Sequence, residues 1–183
     1  PGPARALTLP EGDTVHKLAA RLDAELAGAP VRSLEVRASG AARLADLAVV
    51  GVDSRGKHLF VRFEGGLAVR IHLGMYGAWH RYAPAERWKR PARQARVILR
   101  TDEAAFVCFN AREVEVLRGR GLAERDLADR LGPDLLAPGT RVDAVCVRAR
   151  RLLHPATPLV DVLLDQRVAA GIGNVYKSEL LFL

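Results

Sequence analysis

Pro10-Glu11-Gly12-Asp13-Thr14-Val15 opens the first periodic stretch of the chain. Val15, Leu18, Ala19, Leu22 and Leu26 recur on one face at helical spacing, with Asp13 or Thr14 placed to cap the helix. A proline and acids near the positive end of a helix dipole are what an ordinary helix start shows, and that reading needs no chemistry. The same residues have a second reading. Were Pro10 a first residue, its nitrogen would be a secondary amine beside a carboxylate. An α-amino group titrates near ~7.7–8.0, against ~10.4 for lysine, so about a tenth of it is neutral at pH 7. Such an amine attacks a carbonyl or a sugar C1′ to give an iminium, with Glu11 moving protons. The rest of the chain decides between the two.

Residues 1–9 hold two prolines and no periodicity, and are expected to form a disordered leader. After the first helix, Gly28-Ala29-Pro30 breaks the chain. Short β-rich runs follow at 31–37, 47–53, 58–63, 67–73, 96–101, 105–109 and 113–117. Glu64-Gly65-Gly66 separates two of them as a tight hairpin turn. Runs this short and closely spaced predict an antiparallel sandwich or barrel. Beyond the basic joint Arg118-Gly119-Arg120-Gly121 the pattern turns helical, with candidates at 122–131, 141–153, 159–169 and 174–183. The predicted class is α+β. It comprises a leader (1–9), an antiparallel β-sandwich with a leading helix (10–118) and an α-helical domain (119–183).

The 183 residues carry a formal charge of +7, which favours a polyanionic partner, nucleic acid ahead of an anionic membrane surface. The Ala, Arg, Leu, Gly and Val bias fits a GC-rich genome and weakens that argument. No apolar run approaches the ~20 residues of a membrane span, so a soluble intracellular protein is the expectation. Cys108 and Cys146 are too few for a disulfide framework and are expected to be reduced thiols. The five histidines show no metal-ligand spacing.

Three stretches carry chemistry. Ser54-Arg55-Gly56-Lys57-His58 sets a lysine just after a glycine turn, where a cation can hold a phosphate or simply be solvated. His72-Leu73-Gly74-Met75-Tyr76-Gly77 holds the one methionine of the chain between glycines. A large apolar side chain there can fill a gap in a base stack or sit on the rim of the core. Asp165-Gln166-Arg167-Val168-Ala169-Ala170-Gly171-Ile172-Gly173-Asn174-Val175-Tyr176 reads as helix, glycine turn, helix. Backbone N–H groups, a helix N-terminus and the Asn174 amide would meet there and suit a phosphate.

Taken together, Pro-Glu-Gly-Asp-Thr-Val, Ser-Arg-Gly-Lys-His-Leu, His-Leu-x-Met-x-Gly, Leu-Gly-Pro-Asp-Leu-Leu and Leu-Leu-Asp-Gln-x-x-x-x-Gly-Ile-Gly-Asn-Val-Tyr occur in order from Pro10 to Leu183. The chain resembles the formamidopyrimidine-DNA glycosylase/endonuclease VIII family, in its bacterial endonuclease VIII-like branch. The resemblance implies a DNA glycosylase with apurinic/apyrimidinic lyase activity, removing oxidised bases, pyrimidines first, through an N-terminal proline Schiff base. Pro10 would be the nucleophile, Glu11 the proton carrier, and Lys57 a phosphate-binding catalytic lysine. Gly74, Met75 and Tyr76 would form the void-filling loop, and Gly173 and Asn174 the phosphate clamp of a helix–two-turn–helix motif. The implied partner is damaged double-stranded DNA, bound by a cytoplasmic, nucleoid-associated monomer away from membranes. No cofactor is expected in this chain; zinc belongs to a C-terminal finger of complete family members. The sequence is expected to be C-terminally truncated before that finger, and an amide at Pro10 would block the amine. Translation from Leu9, read as a non-AUG start, would free it. The alternative is a non-catalytic damaged-DNA-binding pseudoenzyme, and an RNA-binding protein with the same clamp is a further rival.

Overall fold

The structure, a computed structural model, describes residues 10–37, 42–119 and 130–183. The leader at 1–9 and all but the last two residues of the candidate helix at 122–131 lie outside the described residues.

Helix α1 (Gly12–Leu26) forms because its apolar residues return every three or four positions; Val15, Ala19, Leu22 and Leu26 are buried. It begins before the expected caps. Glu11 takes the capping position with extended backbone, and its carbonyl accepts the Val15 N–H at 2.9 Å. The Glu11 side chain makes no bond to its own helix. Its carboxylate is used elsewhere.

Among the described residues ten strands follow: β1 (Pro30–Val31), β2 (Ser33–Val36), β3 (Ala42–Leu44), β4 (Leu47–Arg55), β5 (His58–Phe63), β6 (Leu67–His72), β7 (Ala78–Tyr82), β8 (Ala95–Arg100), β9 (Ala105–Phe109) and β10 (Glu113–Arg118). They build two antiparallel sheets, ordered β1-β4-β5-β6-β10 and β3-β2-β8-β9-β7. The expected run 31–37 is divided between them. Val31 pairs with Leu47 in the first sheet, while Leu34 pairs with Leu99 in the second. The chain changes sheets at Arg32, whose N–H still reaches the Arg100 carbonyl at 2.8 Å.

Two strands, β3 and β7, carry no alternation that sequence reading detects. Among the described residues β7 is an edge strand, paired only with β9, and most of its side chains are half-buried. Partial burial on both faces removes the two-residue pattern. The turn at Glu64-Gly65-Gly66 closes β5 onto β6 as expected, with φ of +74° and +76° at the two glycines.

The main core lies between the sheets and α1, from Val15 and Leu26 through Leu59, Ile71 and Leu99 to Cys108. Asp23 on α1 accepts the Val52 N–H at 2.7 Å beside the bulge in β4, which fixes the helix against that sheet. Helices α2 (Val142–Leu152), α3 (Leu159–Leu164) and α4 (Asn174–Phe182) follow. α3 is shorter than the expected 159–169. The Asp165 carboxylate accepts the Arg167 N–H at 2.9 Å and also pairs with its guanidinium, so an Asx turn replaces the next helical turn. Phe60, Ala68 and Leu117 of the first sheet pack with Leu131 and Ala170, so the helical segment shares a small core with the sandwich. No helix among the described residues is long and apolar enough to cross a membrane.

Ile71 is fully buried between the two β layers. Ile71→Ala should lower the unfolding free energy in urea by about 2–5 kcal/mol with little change in the denaturant slope.

Candidate active site

The turn between α3 and α4 is braced by one side chain. Gln166 Oε1 accepts the Gly171 N–H at 3.0 Å, while its Nε2 donates to the carbonyls of Leu164 and Ile172 at 3.0 and 2.9 Å. The turn meets the start of α1 directly, since Gly12 N–H donates to Gly171 O at 3.0 Å. A β-carbon on Gly12 would lie 2.8 Å from the Gly171 Cα, so glycine is needed for the approach. On the other side, Asp134 of the Leu-Gly-Pro-Asp motif accepts the Gly56 N–H at 2.6 Å. That bond holds the tight turn, with Gly56 at φ +56°, from which Lys57 projects.

Glu11 lies where these supports converge, 5% exposed. Its two oxygens accept the backbone N–H groups of Val175 at 2.7 Å and Tyr176 at 3.2 Å. These are unpaired donors of the first turn of α4, and the helix dipole adds to their attraction for an anion. A β-carbon on Gly173 would overlap the Glu11 carboxylate and come within 2.9 Å of Lys57 Nζ. Glycine at 173 therefore lets Glu11 and Lys57 pack on one Cα from the same side. Burial lowers the Lys57 pKa from its ordinary value, and the Glu11 carboxylate partly offsets that.

The expected site residues fall into two linked groups. Glu11, Lys57, Gly173 and the start of α4 at Asn174 form the first. The second lines a cleft of about 1400 Å³ that holds Pro10, Met75 and Tyr76 together with Trp79, Gln94 and Asn110. Pro10 joins the two, half-buried at the cleft wall and one residue from Glu11. Gly74, with φ +64°, turns the chain so that Met75 and Tyr76 stand 62% and 72% exposed. Sequence reading expected free N–H donors for a phosphate at the start of α4. Those of Val175 and Tyr176 are instead taken by Glu11, and Asn174 itself is exposed.

Sequence reading missed the arginines that line the cleft: Arg21, Arg81, Arg90, Arg93 and Arg96. The density of cations between 87 and 96 was a usable signal. Arg21 was not recoverable in this way, because it belongs to the solvent face of an ordinary amphipathic helix.

Beneath Lys57 lies a pair of imidazoles. His58 and His72 are cross-strand partners with ring centroids 5.0 Å apart, and the Nδ1 of each is buried without a hydrogen-bond partner. Burial lowers the pKa of both. For His58, the neighbouring His72 and Arg70 push it further, to about 3. Among the described residues no three His, Cys, Asp or Glu side chains cluster to hold a metal.

The fold is a β-sandwich whose leading helix is locked by a buried carboxylate to a glycine-turned helix pair, beside an arginine-lined cleft. Its similarity to known proteins is specific. Residues 9–117 match the formamidopyrimidine-DNA glycosylase N-terminal domain. A probable endonuclease 8 2 from Streptomyces coelicolor is 43% identical over 96% of this chain and 63% of its own length. The DNA-(apurinic or apyrimidinic site) lyase Nei2 of Mycolicibacterium smegmatis is 41% identical over 95% and 66%. The chain thus spans about two thirds of the length of these relatives. In fold it is similar to Lactococcus lactis formamidopyrimidine-DNA glycosylase bound to DNA containing an abasic site. The TM-score is 0.78 at 19% identity, over 94% of this chain and 69% of that one. MutM in complex with DNA containing carbocyclic 8-oxo-G gives 0.80 at 18%, over 95% and 68%. The chain belongs to the formamidopyrimidine-DNA glycosylase/endonuclease VIII family, in its endonuclease VIII-like branch.

Gly173→Ala should displace both Glu11 and Lys57. Circular dichroism should stay near that of the parent, while the urea midpoint falls as the Glu11 hydrogen bonds to the start of α4 are lost. His58 supplies a pH test. Its folded pKa is depressed, so the stability it contributes is complete above the unfolded value near 6.5 and is lost as pH falls towards 3. Urea midpoints should decline over that window, and more shallowly in His58→Gln.

Proposed function

We propose that this protein is a DNA glycosylase with apurinic/apyrimidinic lyase activity, removing oxidised bases, pyrimidines first, from double-stranded DNA. It would work as a monomer in the cytoplasm, on the nucleoid. The observation that carries this reading is the buried Glu11 carboxylate, one residue from Pro10, held by α4 and packed with Lys57 against Gly173.

The amine of Pro10, where it is free, attacks C1′ of the damaged nucleotide. The C1′–N bond breaks and its electron pair leaves with the base, which takes up a proton. Opening of the sugar ring gives an iminium between Pro10 and C1′, with O4′ protonated through Glu11. The iminium acidifies C2′–H; loss of that proton expels the 3′ phosphate, and a second elimination expels the 5′ phosphate. The two backbone N–H groups hold the Glu11 carboxylate in one rotamer, so it delivers its proton from a fixed place. Lys57 and Asn174 bind phosphates beside the lesion. Met75 enters the space left in the stack, and Gly74 and Tyr76 shape the turn that presents it.

Three versions of the chain test the chemistry by borohydride trapping on abasic DNA. They begin at Pro1, at Met-Pro10, and at Met-Pro10 with Pro10→Gly. The second should trap strongly, because methionine before proline is removed and the secondary amine is exposed. The first should not trap through Pro10, whose nitrogen is then an amide, and the third should trap weakly. Equal trapping by the first and second would move the nucleophile away from Pro10. DNA binding without trapping in any version would favour the non-catalytic damage-binding alternative.

A further inference from the structure

The connection between β7 and β8 is an irregular segment with three cations in four residues, Arg87, Lys89 and Arg90. A loop of this composition is costly to order, since each fixed residue gives up about 1–2 kcal/mol of backbone freedom. Here an aromatic anchor orders it. Trp88 is half-buried, stacked on Tyr82 at 6.1 Å and set edge-on to Phe109 at 5.8 Å. The buried Tyr82 hydroxyl accepts the Lys89 N–H at 3.2 Å, and Glu86 folds back onto the Ala83 N–H at 2.9 Å.

The only acid of the segment is therefore occupied within it. Among the described residues none of the three cations pairs with a carboxylate. Arg87 and Lys89 are exposed. Arg90 is half-buried, lines the same cleft as Pro10 and Met75, and reaches the Tyr76 carbonyl at 3.5 Å. The Arg112 side chain lies against Gly74 of the same turn.

We propose that the Trp88-anchored loop 83–91 is a phosphate-binding arm, and that Arg90 couples a strand phosphate to the position of the Met75–Tyr76 turn. The inference rests on the DNA-processing reading above. Three cations that no carboxylate among the described residues neutralises, set on a preorganised loop, suit the evenly spaced charges of a nucleic-acid backbone, because the ordering cost is met before binding. A guanidinium has five donors in a fixed fork. Arg90 can therefore keep its bond to Tyr76 O while other N–H groups take a phosphate oxygen. Strand placement and turn placement are then set by one side chain.

The test measures affinity for an intact duplex and for one carrying a tetrahydrofuran abasic analogue, across a salt series. A 2-aminopurine beside the analogue reports unstacking. Arg87→Ala/Lys89→Ala should weaken both duplexes several-fold and reduce the salt slope by about 1 for each phosphate no longer neutralised, leaving 2-aminopurine fluorescence at saturation unchanged. Arg90→Ala should reduce the slope and also lower the fluorescence at saturating protein. Arg90→Lys should restore the slope but not the fluorescence, since an ammonium lacks the fork. Thermal unfolding midpoints should stay near the parent's in all three. An unchanged slope in the double variant, with the parent binding normally, overturns the arm alone. Full fluorescence with Arg90→Ala overturns the coupling. Failure of the parent to bind either duplex overturns the DNA reading and the arm together.

Discussion

The Glu11 carboxylate, seated on the first amides of α4, is the contact on which the arrangement of the site depends. Among the described residues it is the one charged side chain withdrawn from solvent. A carboxylate buried without partners costs several kcal/mol, whereas a hydrogen bond to a charged group contributes about 1.5–3. Two backbone N–H groups and a helix dipole therefore roughly offset the burial rather than adding net stability. The gain is positional. Glu11 is fixed to within a hydrogen bond's tolerance, and so is the join between α1 and α4.

That join sets demands elsewhere. Gly12 and Gly171 allow the two backbones to touch, and Gly173 leaves room for Glu11 and Lys57 together. Gln166 shapes the turn that presents α4, and Asp134 holds the turn that presents Lys57. None of these side chains needs to meet a substrate. Each is there because the carboxylate, the lysine and the helix start must share a volume of a few ångströms.

The sandwich supplies the opposite wall. β6 ends at His72 and runs into the Gly74 turn, and β5 begins at His58 just after Lys57. Because His58 and His72 face each other across one ladder, Lys57 and the Met75–Tyr76 turn rise from neighbouring strand ends. Burial lowers the pKa of both half-buried rings, and the charged groups that act on them are mostly cations: Arg70 on both, with Lys57, Arg112 and Glu113 on His72. Burial is the main reason the pair resists protonation, and a proton there would also add to that positive charge.

By itself the sequence determined the class of fold and the family. Helical and alternating periodicities report which residues face a core, and these are local properties that survive without coordinates. They placed α1, β5 and β9 and the start of α4. They missed β7 because an edge strand buries both faces partly, and they overran α3 because an Asx turn at Asp165 outweighs continued apolar spacing. Short motifs likewise singled out Pro10, Glu11, Lys57, Gly173 and Asn174. Only the tertiary structure decided how these relate. That the α4 amides serve Glu11, that Gly173 is the shared floor of a carboxylate and a lysine, and that Arg21, Arg81 and Arg90 line the cleft with Pro10 are consequences of long-range packing. Residues far apart in the chain, such as Glu11 and Val175, carry no mark in their own neighbourhoods of being partners. Their hydrogen bond exists only once the sheets and helices have closed around it.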